Sequence, residues 1–100
     1  MFVHAVYFWL RDDLTAAERQ TYLEGVRSLT TIPDVAHGWL GTPAGTDRPI
    51  IERSYSYALT LVFHDDAAQE RYQVHPVHDR FREECGTLWT RVQIYDSSGE

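Results

Sequence analysis

The sequence predicts an α+β fold in which one antiparallel sheet of four strands carries helices on one of its faces. Three observations predict it. Four apolar stretches, residues 1–10, 35–41, 55–63 and 88–96, alternate with a period of two and read as strands. Helical spacing of apolar residues fills the gaps between the first and second strands and between the third and fourth, so the order is βαββαβ. The strands are apolar on both sides, so helices on one face leave a second apolar face bare.

In residues 1–10 the set Phe2, His4, Val6, Phe8 alternates with Val3, Ala5, Tyr7, Trp9, the mark of a strand covered on both sides. Thr15 with Glu18 forms a capping box, and Tyr22, Val26 and Leu29 follow at helical spacing, so a helix is expected over 15–30. Ile32-Pro33-Asp34 stops it. Val35, His37 and Trp39 alternate in the second strand, and the glycines and prolines between Gly41 and Pro49 make 41–54 a surface loop. In the third strand Tyr55, Tyr57, Leu59, Leu61 and Phe63 share one face, and Ser56, Ala58, Thr60 and Val62 the other.

Asp65 or Asp66 caps the next helix, which reaches about Val74. Pro76 disfavours helical dihedrals at His75 yet suits the first position of a helix, so two short helices meet there at a corner. The second runs to Cys85, with Gly86 as its stop. The last strand sets Leu88, Thr90, Val92 and Ile94 against Trp89, Arg91, Gln93 and Tyr95, and 97–100 is a polar tail expected to fray. The whole is the ferredoxin-like split βαβ pattern, one domain over 1–96, and its bare sheet face is expected to pack on that of a second copy as a homodimeric α/β barrel.

At 43% hydrophobic and 13% aromatic, 100 residues suffice for a core. The formal net charge of −6 argues against nucleic acid and anionic membrane, which call for basic patches, and leaves a small molecule as the better partner. Cys85 stands alone, so no intrachain disulfide is expected. The opening residues carry no basic region, and their apolar run ends at Arg11-Asp12-Asp13; neither signal peptide nor span is expected, and the cytoplasm is the expected location. With no lysine the chain lacks the residue of Schiff-base, pyridoxal-phosphate and P-loop mechanisms, and it has no Gly-rich nucleotide fingerprint.

The stretch from Tyr72 to Phe81 carries the candidate chemistry. His78 falls in the first turn of its helix and shares a face with Phe81 and Cys85, the buried side. Its ordinary pKa of about 6.5 lies near neutrality and a helix N-terminus favours the neutral ring, so it suits a general base. Asp96 is a candidate to orient that ring through its other nitrogen. Tyr72 can donate its hydroxyl to a developing enolate, although helical spacing equally fits an ordinary core aromatic. His4 lies among Phe2, Val6 and Phe8, where a lone histidine is more often a satisfied core residue than a ligand; His75 suits a helix cap and His64 solvent.

His4, His75 and His78 would give three imidazoles, the right type for zinc. The Pro76 corner breaks their one-face spacing and the carboxylate signature of a zincin is missing, so no metal is expected; nothing points to haem or another cofactor. Cys85 lies about 10.5 Å along the axis from His78, too far to be activated as a nucleophile.

An N-terminal strand with an inward His4, the segment Tyr55-Ser56-Tyr57-Ala58-Leu59, the motif Tyr72-x-x-His75-Pro76-x-His78-x-x-Phe81 and a final strand ending Ile94-Tyr95-Asp96 together resemble the stress-responsive A/B barrel (Dabb) family over essentially the whole chain. The resemblance implies a dimeric α+β barrel. It also implies pocket residues, by way of the family's olivetolic acid cyclase, which closes a poly-β-keto thioester by aldol condensation without a cofactor. His78 is similar to that cyclase's catalytic histidine and Tyr72 to its partner tyrosine, while His4 and His75 match further pocket histidines. Tyr57 stands where the cyclase has another pocket histidine, and Val26 where it has a first-helix tyrosine. With Asp96 and Phe81 these complete the expected substrate-binding set.

Two functions follow as expectations. One is a cofactor-independent lyase or cyclase acting on a small hydrophobic or carbonyl compound, with His78 as base and Tyr72 as enolate stabiliser. The other is a non-catalytic stress-response or small-molecule-binding dimer whose histidines are structural.

Overall fold

The computed structural model describes residues 1–99. Among them the elements are β1 (Phe2–Leu10), α1 (Ala16–Leu29), β2 (His37–Gly41), β3 (Tyr57–Phe63), α2 (Asp66–Gln73), α3 (Pro76–Cys85) and β4 (Trp89–Ser98). The sheet is antiparallel in the order β2-β3-β1-β4, the ferredoxin-like arrangement. No helix among the described residues is long and apolar enough to cross a membrane.

Local chemistry sets the helix limits. Thr15 and Glu18 form the reciprocal capping box of α1. Asp65 caps α2 by accepting from the Ala68 N–H at 2.8 Å. At the corner His75 is the N-cap of α3, its Nδ1 accepting from the Val77 N–H at 3.1 Å, and Pro76 occupies the first helical position.

The core lies between one sheet face and the helices. Val6, Phe8, Leu10, Leu59, Leu61 and Phe63 meet Tyr22, Val26 and Leu29 of α1, Ala68 and Tyr72 of α2, and Phe81 and Cys85 of α3. Gly25 lets α1 approach α3 closely: a Cβ there would lie 2.6 Å from Cys85 Sγ. On the other face, Tyr7 and Trp9 remain half-buried and Trp39 and Tyr95 exposed, so aromatic surface is left bare.

The structure departs from the sequence expectation in three places. Tyr55 precedes β3 and packs on the bare face, edge-on to Tyr7 at 5.0 Å, because Ser56 ties the chain to β1 through the Phe8 carbonyl and the Leu10 N–H before regular pairing starts. In β4 the register skips Thr90, so Trp89 turns to the helix side and stacks on Phe81 at 5.6 Å instead of following Arg91 outward. The expected fraying of 97–100 does not begin at Ser97: Ser97 and Ser98 pair with Val3 and Phe2, and the Gly99 N–H donates to the Met1 carbonyl. Their backbone groups find ladder partners whatever their side chains. Glu100 lies outside the described residues.

The helices do not cover the sheet face evenly. Val92 and Ile94 sit opposite Phe8 and Val6 and share the helix-bearing face, yet they are 40% and 46% exposed. A groove remains between β4 and the corner.

Candidate active site

That groove encloses about 250 Å³. His4, Val6 and Phe8 of β1 form its floor with Val92 and Ile94 of β4; Tyr72 and Gln73 close one end, and His78, Phe81, Arg82 and Trp89 the facing wall. Apolar surface dominates, with the polar groups gathered at the corner, as in small-molecule sites.

The corner delivers two of the groups. Tyr72, near the end of α2, is 1% exposed, and His78, in the first turn of α3, is half-buried. Their rings meet edge to face with centroids 4.9 Å apart. His4 approaches Tyr72 from the sheet at 5.9 Å, so the phenol ring lies against two imidazoles.

The two imidazoles differ in surroundings. His4 is 3% exposed, and its Nδ1 lies 2.5 Å from Asp96 Oδ1, its register partner across β1 and β4. The carboxylate proposed from sequence to orient His78 is therefore on His4: backbone pairing places them opposite each other. His78 Nδ1 is buried without a protein partner among the described residues. Burial first, then the charges of Arg82 and His4, hold the His78 pKa below the ordinary imidazole value, with Asp79 opposing. Burial raises the Tyr72 hydroxyl pKa above the ordinary phenol value.

Of the residues singled out from sequence, His4, Tyr72, His78 and Phe81 line the groove and Asp96 stands behind His4. Val26 is fully buried in the core, Tyr57 packs on Tyr22 at 5.4 Å, and His75 is engaged as a cap; none of the three lines the groove. Cys85 faces the Thr21 carbonyl, and burial pushes its thiol up to about 11, which suits packing over nucleophilic attack. His64 is exposed. Sequence reasoning missed Gln73, Arg82, Trp89, Val92 and Ile94 as lining. Arg82 was within reach, four residues after His78 on one helix; Trp89 was not, because the skipped residue in β4 leaves no periodic signal.

A second cavity, about 300 Å³, opens on the bare sheet face among Tyr7, Trp9, Glu52, Tyr55, Arg91, Gln93 and Tyr95. It holds no histidine, and the Arg91 guanidinium already lies over the Trp9 ring at 4.2 Å. Among the described residues no group of three or more His, Cys, Asp or Glu stands in position to hold a metal ion.

Sequence comparison with curated proteins finds no match. A Dabb family protein from Mesorhizobium loti shares the fold at a TM-score of 0.77 and 24% identity, over 99% of this chain and 96% of its own. A hydroxynitrile lyase from Passiflora edulis does so at 0.78 and 17%, over 96% and 90% of the two chains. A dimeric ferredoxin-like protein of unknown function from Thermobifida fusca follows at 0.76 and 16%, over 97% and 89%. The family model for the stress responsive A/B barrel domain matches residues 2–98, so the chain belongs to that family.

Proposed function

We propose that this protein is a cytoplasmic, homodimeric enzyme of lyase or cyclase type that needs no cofactor and acts on a small hydrophobic carbonyl compound. His78 takes a proton from the carbon next to the carbonyl, and Tyr72 donates its hydroxyl to the enolate oxygen that forms. The observation that carries this reading is the contact of Tyr72 with His78 at 4.9 Å inside an apolar groove, where burial keeps the imidazole neutral and ready to accept. The same fold bears a lyase in Passiflora edulis. The bare aromatic face supports pairing of two copies through their sheets.

The test is exchange of the α-protons of an aryl ketone, 1-phenyl-2-propanone, for deuterium in heavy water, followed by proton NMR. The intact protein should accelerate washout. His78→Ala and Tyr72→Phe should abolish the acceleration while circular dichroism stays unchanged; undiminished exchange in both variants would sink the reading. The alternative, a non-catalytic stress-response or ligand-binding dimer with structural histidines, requires His78→Ala to lower the melting temperature markedly. The unpartnered Nδ1 of His78 speaks against it.

A further inference from the structure

We infer that Arg82 sets the substrate class of the groove: an aryl carbonyl compound with a carboxylate at its far end, the anion paired with the guanidinium. This rests on the proton-transfer reading above and adds to it the group that selects the substrate.

The charges point this way. The chain carries 15 acidic residues against 9 basic ones, yet among the described residues no Asp or Glu lines the groove, and one arginine does. A surface drawn at this composition would meet acids first. Arg11, Arg53 and Arg71 are held by Asp13, Asp47 and Asp34, and Arg91 lies over Trp9. Arg82 forms no ion pair among the described residues, although Asp79, Glu83 and Glu84 are its near neighbours in the chain. Its fork of donors is left for a ligand.

The placement fits a substrate held at two points. Arg82 follows His78 by four residues on α3, so the two share a helix face about 6 Å apart along the axis, at about 1.5 Å per residue. Its charge reaches the imidazole: after burial, it is the next cause of the lowered His78 pKa. The surface around them is apolar, with Trp89 stacked on Phe81 at 5.6 Å in the wall and Val92 and Ile94 open on the floor. A substrate with its enolisable carbon at His78 can lay an aromatic ring on that surface and set a carboxylate about one helical turn away. There the guanidinium takes both oxygens. A neutral compound of the same shape covers the cation in part and gives it no partner, which costs binding.

The probes are 4-(2-oxopropyl)benzoate, whose carboxylate lies across the ring from the enolisable carbon, and its methyl ester. Calorimetry should show the acid bound about fivefold or more tighter than the ester, the yield of one charge-assisted pair at a half-open site. In Arg82→Gln the preference should vanish, and Arg82→Lys should restore part of it. The ratio is the quantity read, because loss of the Arg82 charge also alters His78, and that change acts on both compounds alike. Raising the salt from about 0.01 to about 1 M, which shortens the Debye length from about 30 to about 3 Å, should shrink the native protein's preference. Repulsion of the acid by the net charge of −6 would move it the opposite way. This arm needs no variant and decides even if the substituted chains fail to fold. Equal binding of acid and ester, a preference that survives Arg82→Gln or grows with salt, or no binding of the acid at millimolar concentration each overturns the inference. An acid preference that depends on Arg82, without deuterium washout of either compound, removes the His78 reading and keeps this one; washout of both without a preference does the reverse.

Discussion

At the residue scale the groove turns on how burial sets the proton affinities of His78 and Tyr72. Burial and the nearby charges of Arg82 and His4 lower the His78 pKa, so the folded chain keeps the ring neutral where an unfolded chain would protonate it. The sign follows: this contribution to stability is complete above the ordinary value of 6.5, and it is lost as the pH falls from there towards the folded pKa. An NMR titration should therefore put the His78 midpoint below 6.5, and ketone washout should persist to that lower pH before failing. A midpoint at or above the ordinary value would contradict the desolvated setting. Tyr72, its pKa raised by burial, remains a donor across the same range.

At the element scale the groove exists because α2 breaks at His75 and α3 restarts at Pro76, turning Tyr72 and His78 towards each other. The contact of α1 with α3 holds the corner in place. Gly25→Ala would put a methyl 2.6 Å from Cys85 Sγ and 3.1 Å from the Phe81 ring. The crowding should cost about 1–3 kcal/mol in urea unfolding, more than alanine's helix preference of up to about 1 kcal/mol returns. Adding Cys85→Ala should relieve part of it; equal losses with and without Cys85 would place the crowding elsewhere. Thr15→Ala, which removes half of the capping box, should cost about 0.5–2 kcal/mol in the same assay.

At the scale of the whole molecule, the proposed pairing of two copies turns on the bare face. Ala5 lies near its middle, opposite Thr60 on one side and Tyr95 on the other. Sedimentation should show twice the chain mass for the native protein and a monomer for Ala5→Arg at micromolar concentration, because a buried unpaired charge at a sheet interface costs several kcal/mol. A native monomer would leave Trp39 and Tyr95, 58% and 62% exposed, without a covering partner.

The sequence by itself determined the order of elements, the caps of α1 and α3, the corner at Pro76, and Tyr72, His78 and Phe81 as groups of that corner. Each depends on spacing within a short segment, which periodicity and local hydrogen bonding dictate. His4 was joined to them only by the resemblance to the family. Only the tertiary structure decided what touches what across segments. Register gave Asp96 to His4 instead of His78, the bulge at Thr90 turned Trp89 inward, and Ser56 swung Tyr55 to the far face. Val26 went into the core and Tyr57 against its edge because the helices pack on the middle strands, leaving the groove along β4. A one-residue shift in strand pairing changes every such neighbour while leaving the alternation of the sequence untouched.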